Sequence, residues 1–321
     1  MKLTRQIAVI VLVAMIFAVF DLSVYVLITR RCESDVSLEM RKNGIELSEY
    51  LPFDADSRAV TVESSLSLSG ELPVLDGAAA LYPVFSAVAG SLYPEGSCEF
   101  DGVTFTESSA LQFRNTLRAY RAVADGDADI IFCAAPSAEQ LEYAAGVGAE
   151  LVLTPIGREA FVFIVNENNP VGDLTVEELR GIYTGDIVNW AEVGGDDRLI
   201  DPKTRLAGSG SQTVMDHFMG GREIKKPLFG FLGASIGYSF RYYVEEVPHE
   251  GVVKMLSVGG VAPTRENIRD GSYPIVCDFY AVYRADNDNP NVPLVIEWLL
   301  SDEGQRLIEA NGYVGIGRDD S

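Results

Sequence analysis

From residue 71 onward, short apolar runs alternate with longer amphipathic ones. Residues 72–75 precede 81–92, residues 129–132 precede 138–145, and 151–153 form a further short run. Short, continuous apolar runs bounded by turn residues read as buried strands, and the longer periodic ones as helices. Strand-then-helix alternation predicts an α/β fold on a mostly parallel sheet. Residues 161–165 open a second set, which includes a helix over 175–183 with Thr175 as its N-cap and Glu177 and Glu178 in its first turn. The tail reads as a strand over 276–282 and helices over 292–300 and 302–310, expected to return and complete the first lobe.

Ahead of this lies a different pattern. Residues 7–28 are apolar apart from Asp21 and a few hydroxyls, a length that crosses a bilayer as a helix. Lys2 and Arg5 precede the run, and it continues into Arg30 and Arg31 without the small-residue cleavage site of a signal peptide. Residues 1–32 therefore read as an uncleaved membrane anchor, and the arginine before Cys32 argues against lipidation. Residues 33–70 are polar and Ser-rich and read as a stalk. Lobe one is then expected over 71–156 plus 272–321, and lobe two over 157–271.

The chain of 321 residues, 47% hydrophobic, is long enough for about two domains. A formal net charge of -22 sets aside nucleic-acid binding and forces any anion site to rely on short-range donors and helix N-termini. Cys32, Cys98, Cys133 and Cys277 show no metal-ligand spacing, and the two histidines, His217 and His249, sit in no triad context. No metal, cofactor or enzymatic signature emerges, and neither a phosphate-binding P-loop nor a nucleophile elbow is present.

Three strands end in small residues just before a helix. The turns are Asp76-Gly77-Ala78-Ala79-Ala80, Cys133-Ala134-Ala135-Pro136-Ser137 and Ala207-Gly208-Ser209-Gly210-Ser211-Gln212-Thr213. Small residues admit a ligand close to the backbone, and the first N–H groups of a helix lack internal partners, so each turn can cradle an oxyanion. Arg205 precedes the third turn and can set a guanidinium beside it. Arg158 follows Pro155-Ile156-Gly157 at the expected crossover, with a salt bridge to a local acid such as Glu159 as the alternative. Asp76 either caps the turn that follows or accepts a proton from the ligand.

These turns, together with Thr154-Pro155-Ile156-Gly157-Arg158-Glu159-Ala160-Phe161, Ile182-Tyr183-Thr184-Gly185, Asn189-Trp190, Ile236-Gly237-Tyr238-Ser239 and Ser301-Asp302-Glu303-Gly304-Gln305, occur in an order that resembles the phosphate-binding components of bacterial phosphate ABC transporters, in the form common among Gram-positive bacteria. The resemblance implies a two-lobe periplasmic-binding-protein-like fold of the class II type. It also implies inorganic phosphate or a similar oxyanion as ligand, a permease and its ATPase as partners, and a monomer on the extracytoplasmic side of the membrane. Carried over, the contacts fall on Ala79, Ala80, Ala135, Arg205, Ser209, Gly210 and Ser211, with Thr116 at the start of a helix reaching Val123. The chain departs from the family in having alanines where hydroxyls are common in the first turn, and Ala135 where an aspartate is usual in the second. The short stretch from Met219 to Ile236 implies a trimmed second lobe. A membrane-tethered sensor or scaffold that kept the fold and lost its ligand is the competing reading, and an enzyme on the same fold a third.

Overall fold

The computed structural model describes residues 13, 15–23, 45–228, 230–246 and 253–316. Among these, no helix is long and apolar enough to cross a membrane. Residues 15–23 are helical and expose Met15, Ile16, Phe17 and Phe20; most of the expected anchor, and the stalk up to residue 44, lie outside the described residues.

Two large apolar cores flank one long strand, with two smaller clusters beside the first. The first lobe begins with β1 (Leu75–Gly77), α1 (Tyr82–Leu92), α2 (Asn115–Asp125), β2 (Ile130–Ala134) and α3 (Ala138–Gly146); α1 packs into the first large core with Ile130 and Phe132, whereas α2 packs with Ile131 and Cys133 in one smaller cluster and Ala144 of α3 lies in the other. β3 (Leu151–Asn166) then runs out of this lobe into the second, which also holds β4 (Asp173–Leu174), α4 (Val176–Thr184), β5 (Ile200–Pro202), α5 (Gly210–Met219), β6 (Ala234–Phe240), α6 (Arg241–Glu246), β7 (Val253–Met255), β8 (Ser257–Val258) and α7 (Arg265–Arg269). The chain returns along β9 (Val276–Arg284), and α8 (Asn291–Leu299), α9 (Asp302–Ala310) and β10 (Val314–Gly315) follow. Val295, Leu299, Leu307 and Ile308 pack with Leu75, Phe85 and Phe132, so the tail lies in the first core.

The sheet order is β1-β2-β9-β3-β6-β5, with β7 and β10 also pairing β3. Only β1/β2 and β5/β6 are parallel within it; β9 is antiparallel to both β2 and β3, and β3 is antiparallel to β6. The expected mostly parallel sheet is thus corrected to a mixed one. The physical reason is that β3 and β9 cross between the cores in opposite senses and pair along most of their length, from Leu151↔Arg284 to Ala160↔Val276. The two short runs at 151–153 and 161–165 are parts of this one strand.

At the crossing, the register slips between Pro155 and Gly157. A Cβ on Gly157 would lie 2.2 Å from the Phe279 ring, so only glycine lets that ring lie across the strand.

The stalk expectation is corrected from residue 45 on. Tyr50 and Leu68 are buried in the first core with Ile45 and Ala59. The Ser86 hydroxyl donates to the Tyr50 carbonyl, and Asn311 exchanges hydrogen bonds with the backbone of Val60 at 2.9 and 2.8 Å. Arg58 pairs with Glu49 and, at the junction of the cores, with Glu246 of α6.

Candidate functional site

The three small-residue turns meet where the cores face each other. Ala79 and Ala80 form a single 3-10 turn ahead of α1. Ala134 ends β2, and Ser137 caps α3 in a capping box with Gln140. Ser209 caps α5, its hydroxyl accepting from Gln212 N at 3.3 Å, and Gly208 enters that turn at φ +75°, a conformation glycine adopts without a Cβ penalty.

Contact between the lobes is direct. Gln140 Nε2 donates to the Gly208 carbonyl at 3.1 Å. A Cβ on Gly210 would lie 3.3 Å from the Thr116 hydroxyl and 3.9 Å from the Ala134 Cβ. Thr116 sits in the first turn of α2, whose first residue, Asn115, takes φ +64°, the left-handed region that Asn tolerates better than most residues.

Arg205 is fixed at its backbone, where its N–H donates to Gln212 Oε1 at 3.0 Å and to the Tyr238 hydroxyl at 3.1 Å. Tyr238 in turn donates to Gln212 Oε1 at 2.6 Å. No carboxylate among the described residues pairs with the Arg205 guanidinium. Burial pulls its pKa below the ordinary arginine value, against the Tyr243 and Tyr238 phenols nearby. A desolvated guanidinium without a counter-charge is a strong attractor for an anion.

Two sequence candidates are committed elsewhere. Asp76 is fully buried in β1; its Oδ1 accepts from Gly77 N and Arg114 N at 2.8 and 2.9 Å, and its Oδ2 from Arg114 Nη1 at 2.7 Å. Burial pushes its pKa up and the Arg114 contacts oppose this. These contacts tie it to the turn that follows β1 and to the turn into α2, as the capping alternative for Asp76 has it. Arg158 pairs with Asp278 across β3 and β9 at 3.4 Å. Its neighbour Glu159 points to the other face of the strand and is held by Arg241. Of the remaining candidates, Ala80 and Gly210 line the cavity described next, Ser209 is a cap, and Ala79, Ala135 and Ser211 lie in the turns, partly exposed.

Beneath the meeting point is a cavity of about 20 Å³, lined by Ala80, Ala134, Gly210, Phe240 and Phe279 among others, with room for about one water. A tetrahedral oxyanion needs more space, so it enters only if the lobes separate. Glu159 and Tyr313 also border this cavity, and neither they nor Gln140 was among the sequence candidates. The Ser137-x-x-Gln140 pattern signals the capping box, but the second use of Gln140, reaching the other lobe, has no local signature.

A family model described as a PBP superfamily domain matches residues 76–303. The chain is 26% identical over 185 residues to the phosphate-binding protein PstS of Borreliella burgdorferi, covering 51% of this chain and 65% of that protein. It is 29% identical over 167 residues to PstS of Bacillus subtilis, covering 47% of this chain and 53% of that protein. The chain thus spans about half to two thirds of the length of these relatives. Among solved structures, a putative phosphate ABC transporter substrate-binding protein with bound phosphate from Clostridium perfringens superposes with TM-score 0.58 at 23% identity, covering 76% of this chain and 98% of that one. A phosphate transport receptor from Vibrio cholerae superposes with TM-score 0.53 at 21% identity, covering 75% and 99%. The resemblance carried by the sequence motifs is borne out by these matches, and the structural ones bear on the fold.

Proposed function

Since the chain belongs to the PBP superfamily, we propose that it captures a tetrahedral oxyanion, inorganic phosphate in the first instance, between its two lobes for an ABC permease and its ATPase. The names of the PstS relatives support phosphate as the ligand. The observation that carries the reading is Arg205, whose backbone N–H bonds Gln212 in the first turn of α5 and whose partly buried guanidinium, near Tyr238 and Tyr243, lacks a carboxylate partner among the described residues. The Thr116 hydroxyl and the first N–H groups of α5 would complete the cradle. The reading is of a monomeric binder, not an enzyme, tethered by residues 1–32 on the extracytoplasmic side. Fractionation checks the tether: full-length protein should stay with membranes, and a product cleaved near Cys32 in the medium would exclude it.

Calorimetric titration with phosphate tests the function. Binding is expected, and Arg205→Ala should weaken it by about one to two orders of magnitude, the worth of one charge-assisted contact. The alternative, a tethered sensor or scaffold without an oxyanion, draws on the alanines that line the first two turns. It is favoured if no oxyanion binds.

A further inference from the structure

An ion pair between Asp76 and Arg114 stands at the entry to the first small-residue turn. Asp76 is fully buried in β1, and its two oxygens have separate roles. Oδ1 accepts from Gly77 N at 2.8 Å and from Arg114 N at 2.9 Å, so one atom ties the start of the first turn to the N-cap residue of α2. Oδ2 accepts from Arg114 Nη1 at 2.7 Å and thereby aims the guanidinium. Taking a carboxylate out of water costs more than a single ion pair commonly returns, so what this arrangement gains is direction more than stability.

Arg114 is left with the side-on fork of its guanidinium, Nε and Nη2. Neither nitrogen has a partner among the described residues, neither is buried, and the side chain is 32% exposed. Such a fork matches two oxygens of a tetrahedral oxyanion. Arg114 lies two residues before Thr116, at most about 7 Å along the backbone. The Thr116 hydroxyl in turn lies 3.3 Å from where a Cβ on Gly210 would be, at the start of α5. On its other side, Asp76 leads through Gly77 into the turn of Ala79 and Ala80. That turn has no hydroxyl to offer an anion, and the Arg114 fork supplies two donors from the same lobe.

We propose that Arg114 is a second cationic contact for the oxyanion, which is held between Arg114 on the first lobe and Arg205 on the second. Asp76 is then a positioning residue, acting on the ligand through Arg114. This inference rests on the reading of the cleft as an oxyanion site, with phosphate as its ligand, and adds a contact to it.

A crystal structure of the full-length chain with phosphate, and phosphate titrations of two variants, test it. In the complex, Arg114 Nε or Nη2 should lie within about 3.2 Å of a phosphate oxygen. A complex in which neither comes within hydrogen-bond distance of phosphate overturns the inference. Arg114→Lys keeps Asp76 paired but removes the fork, and should weaken phosphate binding by about threefold or more. Asp76→Asn combined with Arg114→Gln replaces the pair by neutral amides, leaves no buried charge unpaired, and should weaken binding by about tenfold or more. Thermal melting shows whether each variant is folded, and a change of less than about threefold in either folded variant overturns the inference while leaving the Arg205 site intact. If the unaltered chain binds no phosphate, the oxyanion reading falls as well. The complex of the unaltered chain is decisive even if neither variant folds.

Discussion

Glu159 shows how much one side chain's partner depends on strand geometry. Adjacent in sequence, Arg158 and Glu159 invite pairing, yet a strand sends them to opposite faces. Arg158 meets Asp278 at the surface and Glu159 meets Arg241 in the interior. Burial pushes the Glu159 carboxyl up to about 7 from an ordinary 4.5, against the lowering by Arg241 and by the N–H groups of Ala160 and Tyr242. Between those two values the folded protein retains a proton that the unfolded chain has released. The contribution of this group to stability is therefore full at low pH and falls as pH rises from 4.5 to about 7. Urea unfolding of the wild type and Glu159→Gln at pH 5, 6 and 7 checks this. The wild type should lose stability relative to the variant across the series, and a flat difference would mean that Glu159 is ionised throughout.

At the scale of elements, what could be read from the sequence followed from local rules. The helices over 138–146 and 302–310 and the Thr175 capping box need only apolar period and caps, and the helix over 82–92 only its apolar run and Pro83 in its first turn, all visible in the chain. The unity of β3 was not legible, because its half-buried first part and its buried second part belong to different cores and carry different patterns. Nor was the role of residues 45–70. Their buried residues Ile45, Tyr50, Ala59 and Leu68, with Leu47, Leu51, Phe53, Val62 and Leu66 partly buried beside them, fill places in a core made by other elements, and because most of this segment has no regular structure their spacing follows neither a helical nor a strand period. A chain beginning at Glu71 looks self-sufficient by pattern alone. The packing reverses that expectation, since removing Tyr50 and Leu68 forfeits roughly 1.5–3 kcal/mol for each, and the Asn311 side chain loses its Val60 partner. Truncation at Glu71 should lower the melting temperature markedly and expose apolar surface to a dye such as ANS, while truncation at Ile45 should do neither. Equal melting temperatures for the two would mean that the segment only lies on the surface.

At the scale of the whole molecule, the anion reading faces an electrostatic obstacle, because a net charge of -22 repels an incoming anion. Capture must then depend on short-range groups that act once the ligand is inside, beyond the reach of a screened surface field. Of the site, the three turns and Arg205 were legible as sequence motifs, but their meeting was not, since it requires α3 of one lobe to face the α5 turn of the other. Gln140 joins them through the Gly208 carbonyl, and Thr116 lies against Gly210, so the lobes already touch around a space too small for an oxyanion. On the proposed function an entering oxyanion has to separate them, and the Gln140 bridge would re-form on closure. Gln140→Ala should remove that hydrogen bond, worth about 1 kcal/mol, while the Ser137 hydroxyl still caps α3. The bridge holds the lobes together before the ligand enters and again afterwards, so Gln140→Ala should speed association and release alike, each by up to about fivefold, and leave phosphate affinity little changed. Stopped-flow measurement of association and release separates the two rates. Unchanged rates would mean that the Gln140 bridge has no part in holding the closed lobes together.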